Sequence, residues 1–246
     1  MKYPIYLLIG LCLLVNKMGL AQAQDNASPG ISFYVLRVIY PEGEKQGVTL
    51  TAYNKSPAPY LMQSWIRPVD PATGDVDLNW HGTPVMPFIV TPPLARLEAN
   101  GELALRIRRN DMPLPNDRES VFFISMKALP TQQPDAEQMV MTVVSNIKLF
   151  YRPAGLVKRA VADMAPKLTF SRAGDQLTAT NPTPYWLTFS RLAVGNVALD
   201  KPALRLMVPP FGKQSYTLPA TASASGKVSW QLIDEDGWDT PVAQQD

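Results

Sequence analysis

The residues that most often carry catalysis or metal binding are scarce in this 246-residue chain. It has a single histidine, His81, and a single cysteine, Cys12. His81 lies in the loop-like stretch Asn79-Trp80-His81-Gly82 with Asp77 near it, and no second His is present to complete a metal or catalytic site. The sequence contains no glycine-rich phosphate loop and no G-x-S-x-G segment. We therefore expect a protein that is not an enzyme and uses no metal or other cofactor.

The N-terminus has the pattern of a secretory signal peptide. Lys2 is followed by the apolar run Ile5–Val15 and by Ala21-Gln22-Ala23, an A-x-A cleavage site. The run is shorter than the roughly 20 apolar residues that span a bilayer. A buried first strand or a membrane anchor is the alternative interpretation. We expect residues 1–23 to be removed and the mature protein to be exported without stable membrane anchoring.

Removal of residues 1–23 changes the charge balance. The segment takes away Lys2, Lys17 and Cys12 and leaves 21 Lys and Arg against 21 Asp and Glu. A formally neutral chain does not favour a nucleic-acid partner. Without its only cysteine, the mature chain forms no disulfide and depends on burial and hydrogen bonding for its stability.

The apolar residues recur mainly with a period of two. Val48, Leu50 and Ala52 alternate with more polar residues in Gly47–Asn54, and Glu102–Arg108 repeats the pattern. Such alternation is typical of half-buried antiparallel strands, and no segment of helical length carries an apolar stripe. Further strands are predicted for Ile31–Ile39, Tyr60–Ile66, Ser120–Lys127 and Met139–Tyr151.

A second group of strands follows Pro153. It comprises Lys167–Ser171, Gln176–Thr180, Tyr185–Arg191, Gln214–Leu218 and Lys227–Ile233. The region between the groups, Ala154–Pro166, has no strand pattern. We therefore predict an all-β protein with one sandwich domain in residues 24–154 and another in residues 155–246. One elongated sandwich is the alternative.

Four segments, in order along the chain, resemble one known family, the PapD-type periplasmic chaperones of pilus (fimbrial) assembly. They are Thr91-Pro92-Pro93 with Arg96-Leu97-Glu98, Pro115-Asn116-Asp117-Arg118-Glu119-Ser120, Asn146-Ile147-Lys148-Leu149-Phe150-Tyr151-Arg152-Pro153, and Asn181-Pro182-Thr183-Pro184-Tyr185. The resemblance covers essentially the whole mature chain.

The resemblance implies two immunoglobulin-like domains in a boomerang arrangement and a cis Thr91–Pro92 peptide bond. Members of the family bind pilin subunits in the periplasm and deliver them to an outer-membrane usher. They do so by inserting a strand into the groove of the incomplete subunit, a form of strand addition. Pilin subunits and the usher are therefore the expected partners, together with a self-capping dimer of the free protein.

The donor strand implied by the resemblance is Gln138–Phe150. Met139, Met141 and Val143 match the subunit-facing residues of the family. We expect the intervening residues Val140, Thr142 and Val144 to pack toward the protein's own core. The alternative is a central strand that is buried on both sides.

Two cations match the family's anchor for the C-terminal carboxylate of the subunit. They are Arg37, in the first strand, and Lys148, in the Ile147-Lys148-Leu149 signature. Two cations around one carboxylate form charge-assisted hydrogen bonds, and a fixed carboxylate would set the register of the added strand. Ordinary solvated charges are the alternative. Lys148 lies an odd number of residues from Val143, so a bulge or strong twist is required if both contact the subunit.

Glu119 and Arg152 match an ion pair that fixes the angle between the domains in the family. The third partner is uncertain because the C-terminal segment Asp234-Glu235-Asp236-Gly237 departs from the usual pattern, and Glu235 is its ungapped match. An ordinary surface ion pair is the alternative.

Two other functions are compatible with an exported β-sandwich. A stand-alone adhesin or ligand-binding protein would explain the fold but not the Arg37/Lys148 pairing beside an alternating apolar strand. An enzyme that depends on His81 or on a carboxylate pair is the remaining hypothesis.

Overall fold

The computed structural model describes residues 30–130, 142–222 and 226–245. The predicted signal peptide, residues 1–23, lies outside the described residues. So do Met139 and Met141 of the predicted donor strand.

The N-terminal part forms two facing sheets. One has the strand order β1-β3-β7-β5, and the other has the order β2-β9-β8-β4-β6. The strands are β1 (Ile31–Ser32), β2 (Arg37–Pro41), β3 (Val48–Asn54), β4 (Tyr60–Arg67), β5 (Phe88–Thr91), β6 (Leu94–Leu97), β7 (Glu102–Arg109), β8 (Ser120–Pro130) and β9 (Val143–Arg152).

The alternating residues of the sequence form the core between these sheets. Leu50 and Ala52 of β3 are buried, as are Leu105 and Ile107 of β7, while their polar neighbours are more exposed. The two strands pair antiparallel in continuous register. The period of two thus gives each strand one face toward the opposite sheet.

The predicted strand Ile31–Ile39 is wrong as a single element. β1 pairs with β3 in one sheet, whereas β2 pairs in parallel with β9 in the other. The intervening residues 33–36 belong to no strand, because the chain crosses between the sheets there. This crossing leaves Tyr34 and Leu36 69% exposed.

The C-terminal part forms a second pair of sheets, with strand orders β10-β11-β14 and β13-β12-β15-β16. The strands are β10 (Thr169–Ala173), β11 (Gln176–Asn181), β12 (Phe189–Val194), β13 (Val197–Ala198), β14 (Gly212–Thr217), β15 (Val228–Leu232) and β16 (Ala243–Gln245). A four-residue helix, α1 (Val161–Met164), and 3-10 turns at Ala165–Lys167 and Ala203–Arg205 complete it. Within the described residues, no helix has the length and hydrophobicity needed to cross a membrane.

Two separate hydrophobic cores divide the chain. The buried members of the first lie between Val38 and Tyr151, and those of the second lie between Ala160 and Leu232. The predicted all-β class with two sandwiches is therefore confirmed. The predicted boundary between residues 154 and 155 falls between the cores and stays a prediction.

A buried asparagine holds the same turn in each sandwich. The Asn54 side chain accepts from the amide of Ser56 at 2.9 Å and donates to the Ala58 carbonyl at 2.8 Å. Asn181 repeats both contacts with Thr183 and Tyr185, at 2.9 and 2.8 Å. Because this turn occupies residues 181–185, β12 begins at Phe189 rather than at Tyr185 as predicted.

Four short edge strands, β5, β6, β13 and β16, were not predicted from the sequence. β5 and β6 have four residues each and flank the Thr91-Pro92-Pro93 turn. The Thr91–Pro92 peptide bond is cis, as predicted, and Thr83–Pro84 is a second cis bond that was not expected.

Candidate functional site

Strand β9 presents two rows of side chains to opposite faces of its sheet. Its antiparallel register with β8 runs without a shift from Ser120 opposite Tyr151 to Ala128 opposite Val143. Ile147, Leu149 and Tyr151 point into the N-terminal core and are buried. The even-numbered residues of β9, which include Lys148 and Arg152, therefore lie on the outer face.

This register corrects two expectations. Val144 does not pack toward the core: it lies on the outer face and is 46% exposed. No bulge separates Val143 from Lys148, so the two side chains do point to opposite faces of the sheet. Val143 continues the core-facing row, but it lies beyond the last packed layer and is 61% exposed. A central strand buried on both sides does not describe this end of β9.

The start of β9 has an open edge. On one side the strand pairs with β8 over its length from Val143 to Tyr151. On the other side its partner among the described residues is β2, and that pairing begins only where Arg37 meets Lys148. From Val143 to Ile147 the backbone groups on this side have no strand partner in the described part of the chain. Such an edge is a template for pairing with another extended chain.

Arg37 and Lys148 meet where the open edge ends. They are direct partners in the parallel β2–β9 register and so share the outer face. Arg37 is buried, which excludes a solvated surface charge at this position. Its Nη1 donates to the carbonyl of Ile233 at 2.8 Å, and its guanidinium lies 5.3 Å from the Phe150 ring centroid. Its buried Nε has no hydrogen-bond partner.

Burial shifts the ionisation of both cations. Desolvation and, to a smaller extent, repulsion by Arg37 lower the pKa of Lys148 to about 8. Desolvation lowers the pKa of Arg37 to about 10, against the opposing attraction of Glu235 and Glu119. No described residue forms an ion pair with the Lys148 ammonium. Two adjacent cations that lack a carboxylate partner form a site suited to an external carboxylate.

Arg152, at the end of β9, is the centre of a buried ion cluster. Its Nη2 lies 2.6 Å from Oε1 of Glu119, and its Nη1 lies 3.0 Å from Oε1 of Glu235. The guanidinium also donates to the carbonyls of Val157, at 2.9 Å, and Lys158. The side chains of the three charged residues are at most 9% exposed. The ordinary surface pair is thereby excluded, and Glu235 is the residue that contacts Arg152 from the C-terminal sandwich.

Both carboxylates of this cluster also bind backbone groups of the C-terminal sandwich. Glu119 accepts from the Trp186 amide at 2.9 Å, and its own carbonyl accepts from the Trp186 indole at 3.0 Å. Glu235 accepts from the amides of Ala160 and Val161 at 3.0 and 3.3 Å, at the start of α1. Burial raises the pKa of Glu119, while Arg152 and the Trp186 amide oppose that shift. The cluster therefore connects the two sandwiches through paired and hydrogen-bonded charges.

Several members of this region were not predicted from the sequence. Trp186 was not among the expected site residues, and the carbonyl of Ile233 carries no side-chain signal. A second ion pair between the sandwiches, Arg205 with Asp75 at 3.1 Å, is exposed and was not predicted. Only the resemblance to the family pointed to this part of the molecule.

His81 has the environment expected of a structural residue. It is exposed in the loop between β4 and β5. The described residues contain no group of three or more His, Cys, Asp or Glu side chains placed to hold a metal ion.

Family models match both sandwiches. Residues 30–157 match the model of the pili and flagellar-assembly chaperone PapD N-terminal domain, and residues 163–244 match that of the pili assembly chaperone PapD C-terminal domain. The chain belongs to the PapD family of pilus-assembly chaperones. Such chaperones are not enzymes, in agreement with the prediction.

Individual relatives of the chaperone agree with this assignment. It is 36% identical over 213 residues to the chaperone protein FocC of Escherichia coli, covering 85% of this chain and 86% of the relative. It is 34% identical over 239 residues to FimC of E. coli K12, covering 96% and 90%. The E. coli chaperone DraB has a similar solved structure, with a TM-score of 0.72, 32% identity and coverage of 89% and 98%. A structure of Salmonella enterica SafA pilin with the SafB chaperone gives a TM-score of 0.73, 28% identity and coverage of 88% and 95%.

We predict that Arg152→Ala strongly destabilises the chaperone. The substitution leaves the Glu119 and Glu235 carboxylates buried without their cation, which typically costs about 3–5 kcal/mol in the free energy of unfolding. Urea unfolding followed by circular dichroism measures the change. Arg159→Ala is the matched control, because the Arg159–Asp236 pair is exposed and such pairs contribute only about 0–1 kcal/mol. Equal losses in the two variants would contradict the assigned role of the buried cluster.

Proposed function

We propose that this chaperone captures pilin subunits in the periplasm by adding the open edge of β9 to them and that it delivers them to an outer-membrane usher. Membership of the PapD family supports the pilus-assembly role. A solved structure contains the similar chaperone SafB in complex with a pilin, SafA. Arg37 and Lys148 anchor the subunit's C-terminal carboxylate, and Met139, Met141 and Val143 are the apolar residues of the donor strand.

One observation carries the proposal: among the described residues, an unpaired strand edge ends at two cations that form no ion pair with a carboxylate. The edge supplies main-chain hydrogen bonds, which any extended chain can make. Arg37 and Lys148 supply the selectivity, because the C-terminal carboxylate of a chain end provides the negative charge with which these two cations can pair. A stand-alone adhesin does not require this combination.

The geometry fixes the direction of the incoming strand. A strand whose carboxylate lies at Lys148 and whose preceding residues pair back toward Val143 runs in the same direction as β9. The added strand is therefore parallel to β9, as β2 is, and it ends where β2 begins. The anchor also sets the register, and a slip of one residue would exchange the two faces of the added strand.

The core-facing row of β9 supplies the apolar contact. Val143 lines a cavity of about 300 Å³ at the end of the N-terminal sandwich, together with Tyr60, Met62 and Met126. Val143 thus stands where the packed core gives way to an exposed surface. Met139 and Met141 lie an even number of residues before Val143 in the sequence. We propose that they extend this row into the groove of the subunit. In the absence of a subunit, the same edge is available for a self-capping dimer.

Neutralising the anchor should abolish capture without unfolding the protein. Lys148→Met keeps the apolar stem but removes the charge, and truncating one partner of a buried interfacial charge pair costs about 2–5 kcal/mol of binding. Lys127→Met on the same sheet face is the matched control, since Lys127 lies opposite Val144. Co-purification of pilin from the periplasm measures capture. Wild-type yields of complex with Lys148→Met would refute the anchor.

Capture should weaken as the pH rises above about 8. Lys148 in the free chaperone has a pKa of about 8, and a bound carboxylate raises it. Below that pH the ammonium is present before and after binding, so the affinity is constant. Above it, binding must take up a proton, and the affinity falls by up to about tenfold per pH unit. Calorimetry from pH 6.5 to 9 with a C-terminal pilin peptide tests this expectation.

The same peptide with an amidated C-terminus is the control for the pH experiment. It lacks the carboxylate that raises the Lys148 pKa, so it should bind more weakly and without the pH dependence. An affinity for the free-acid peptide that stays constant up to pH 9 would contradict the role of Lys148.

A carboxylate at the exposed end of the core-facing row should block strand donation. Val143 is 61% exposed in the free chaperone, so Val143→Asp should fold and melt as the wild type does. Inside the subunit groove the new carboxylate would be desolvated without a partner, at a cost of several kcal/mol. Leu78→Asp, at a position that is 72% exposed in the β4–β5 loop, is the control. Efficient refolding of a denatured pilin by Val143→Asp would place the binding edge elsewhere.

A further inference from the structure

A second contact joins the two sandwiches away from the Arg152 cluster. It is made by residues 68–77, the first part of the β4–β5 loop, which we call the 68–77 loop. At Gly74 of this loop an added Cβ would lie 2.3 Å from the Arg205 carbonyl oxygen and 2.8 Å from the Leu206 Cα. A side chain cannot be accommodated at these distances, so the contact with the C-terminal sandwich requires glycine.

The 68–77 loop is held in shape by its own hydrogen bonds. The Gly74 amide donates to the Asp70 carbonyl at 2.8 Å, and the Asp70 amide donates to the Asp75 carbonyl at 2.8 Å. The Asp70 carboxylate accepts from the Ala72 amide at 2.8 Å. Gly74 has a φ of +71°, a conformation that favours glycine. The loop therefore presents Gly74 to the C-terminal sandwich in a defined conformation.

A cavity of about 580 Å³ lies between this contact and the Arg152 cluster. Gly74 and Leu206 of the first contact line it, as do Glu119 and Trp186 of the second. The sandwiches therefore do not meet here through a continuous packed interface. Two domains move relative to one another unless their interface is large and hydrophobic. The angle between the sandwiches thus depends on separate contacts, and two of them restrict rotation more than one does.

The ion pair beside Gly74 is the weaker part of this contact. Asp75 lies 3.1 Å from Arg205, and the two side chains are 42% and 60% exposed. Exposed pairs of this kind contribute little to stability. The close approach of the two backbones at Gly74 therefore determines how near the 68–77 loop comes to the C-terminal sandwich.

The 68–77 loop also lies near the proposed carboxylate anchor. Desolvation and repulsion by Arg37 lower the pKa of Lys148 to about 8, and attraction by Asp75 opposes them. Arg37 in turn contacts the C-terminal sandwich through the Ile233 carbonyl. A displacement of the loop from that sandwich would therefore change the surroundings of both cations.

We propose that the 68–77 loop is a positioning element of the chaperone. Its contact at Gly74 fixes the C-terminal sandwich relative to the N-terminal one and so holds the Ile233 carbonyl against Arg37. The effect on ligand binding rests on the proposed function, because it acts through the anchor. The fixing of the two sandwiches can be measured without a ligand.

The distance between the sandwiches tests the inference directly. Without Cys12 the chain has no cysteine, so spin labels can be attached at Glu102→Cys and Arg191→Cys, two exposed strand positions on different sandwiches. Pulsed EPR then gives the distribution of label distances. We expect Gly74→Ala to shift or broaden it, because the added methyl group forces the loop and the Arg205 carbonyl apart.

Gly174→Ala is the matched control for this experiment. Gly174 has a φ of +61°, so both substitutions place alanine in the left-handed region, but no described atom beyond its chain neighbours lies within 4 Å of its added Cβ. We expect the wild-type distance distribution in this variant. Gly74→Ala decides the outcome unless it melts at a lower temperature than Gly174→Ala.

A charge change decides the outcome in that case. Arg205→Glu places a carboxylate opposite Asp75 without altering the loop itself, and Lys201→Glu makes the same change at another exposed position of the C-terminal sandwich. Arg205→Glu should change the label distance, and Lys201→Glu should not.

A wild-type distance distribution in the deciding variant would overturn the inference. This outcome requires no pilin and is separate from the proposed function, which fails if Lys148→Met captures pilin as well as wild type does. Calorimetry with the free-acid C-terminal pilin peptide measures the consequence for the anchor. Gly74→Ala should bind this peptide about tenfold more weakly than Gly174→Ala does. An altered distance with an unchanged affinity would make the contact purely structural and overturn its positioning role.

Discussion

The buried guanidinium of Arg152 is the interaction on which the arrangement of the molecule depends. It belongs to the last residue of β9, yet it contacts a carboxylate from each sandwich and two carbonyls of the connecting segment. Buried ion pairs are poor sources of net stability, but removing one member is costly. Their use here is orientation: Arg37 reaches the Ile233 carbonyl only while the two sandwiches keep this position. The geometry of the proposed carboxylate anchor thus depends on a cluster that lies outside the anchor itself.

Strand β9 contributes to the N-terminal core, to the open edge and to the row of buried cations, because its two faces and its two ends have different surroundings. The core-facing row of β9 packs the N-terminal sandwich at Leu149 and becomes exposed at Val143. The outer row carries Lys148 and then Arg152. Since β2 pairs only with the second half of the strand, the first half keeps its edge open among the described residues. The proposed ligand site is therefore a continuation of the fold rather than a pocket within it.

The fold class followed from the sequence because alternation of apolar residues reports burial directly. Leu50 and Leu105 are buried, as the alternation of apolar residues predicted. The strand predicted across residues 33–36 failed because local pattern does not show which sheet a segment joins. The turn at Asn181 was recognised as a motif, but the sequence did not show that β12 starts only at Phe189 or that Asn181 also donates to the distant Pro209 carbonyl. Short edge strands such as β5 have too few residues for a period to be detected.

The site was less predictable than the fold. The resemblance identified Arg37 and Lys148, and the parallel register that makes them neighbours could not be read from either segment alone. The odd spacing between Val143 and Lys148 correctly predicted that their side chains point to opposite faces of the sheet. The bulge that would have placed both on one face is absent from the β8–β9 pair. The assignment of Val144 to the core was wrong because the face of a strand depends on its partners.

The open edge of β9 also has a consequence for solubility. An open strand edge that begins at the exposed residues Val143 and Val144 is the kind of surface from which proteins polymerise, and natural sheets protect such edges with charges. Arg37 and Lys148 lie at the end of this open edge, and their charges oppose pairing with a further strand. An interior segment of another protein that paired along this edge would have to continue past both cations without neutralising them. A chain that stops there can neutralise them with its terminal carboxylate, so the charges proposed to bind a terminus also disfavour the growth of a fibre from this edge.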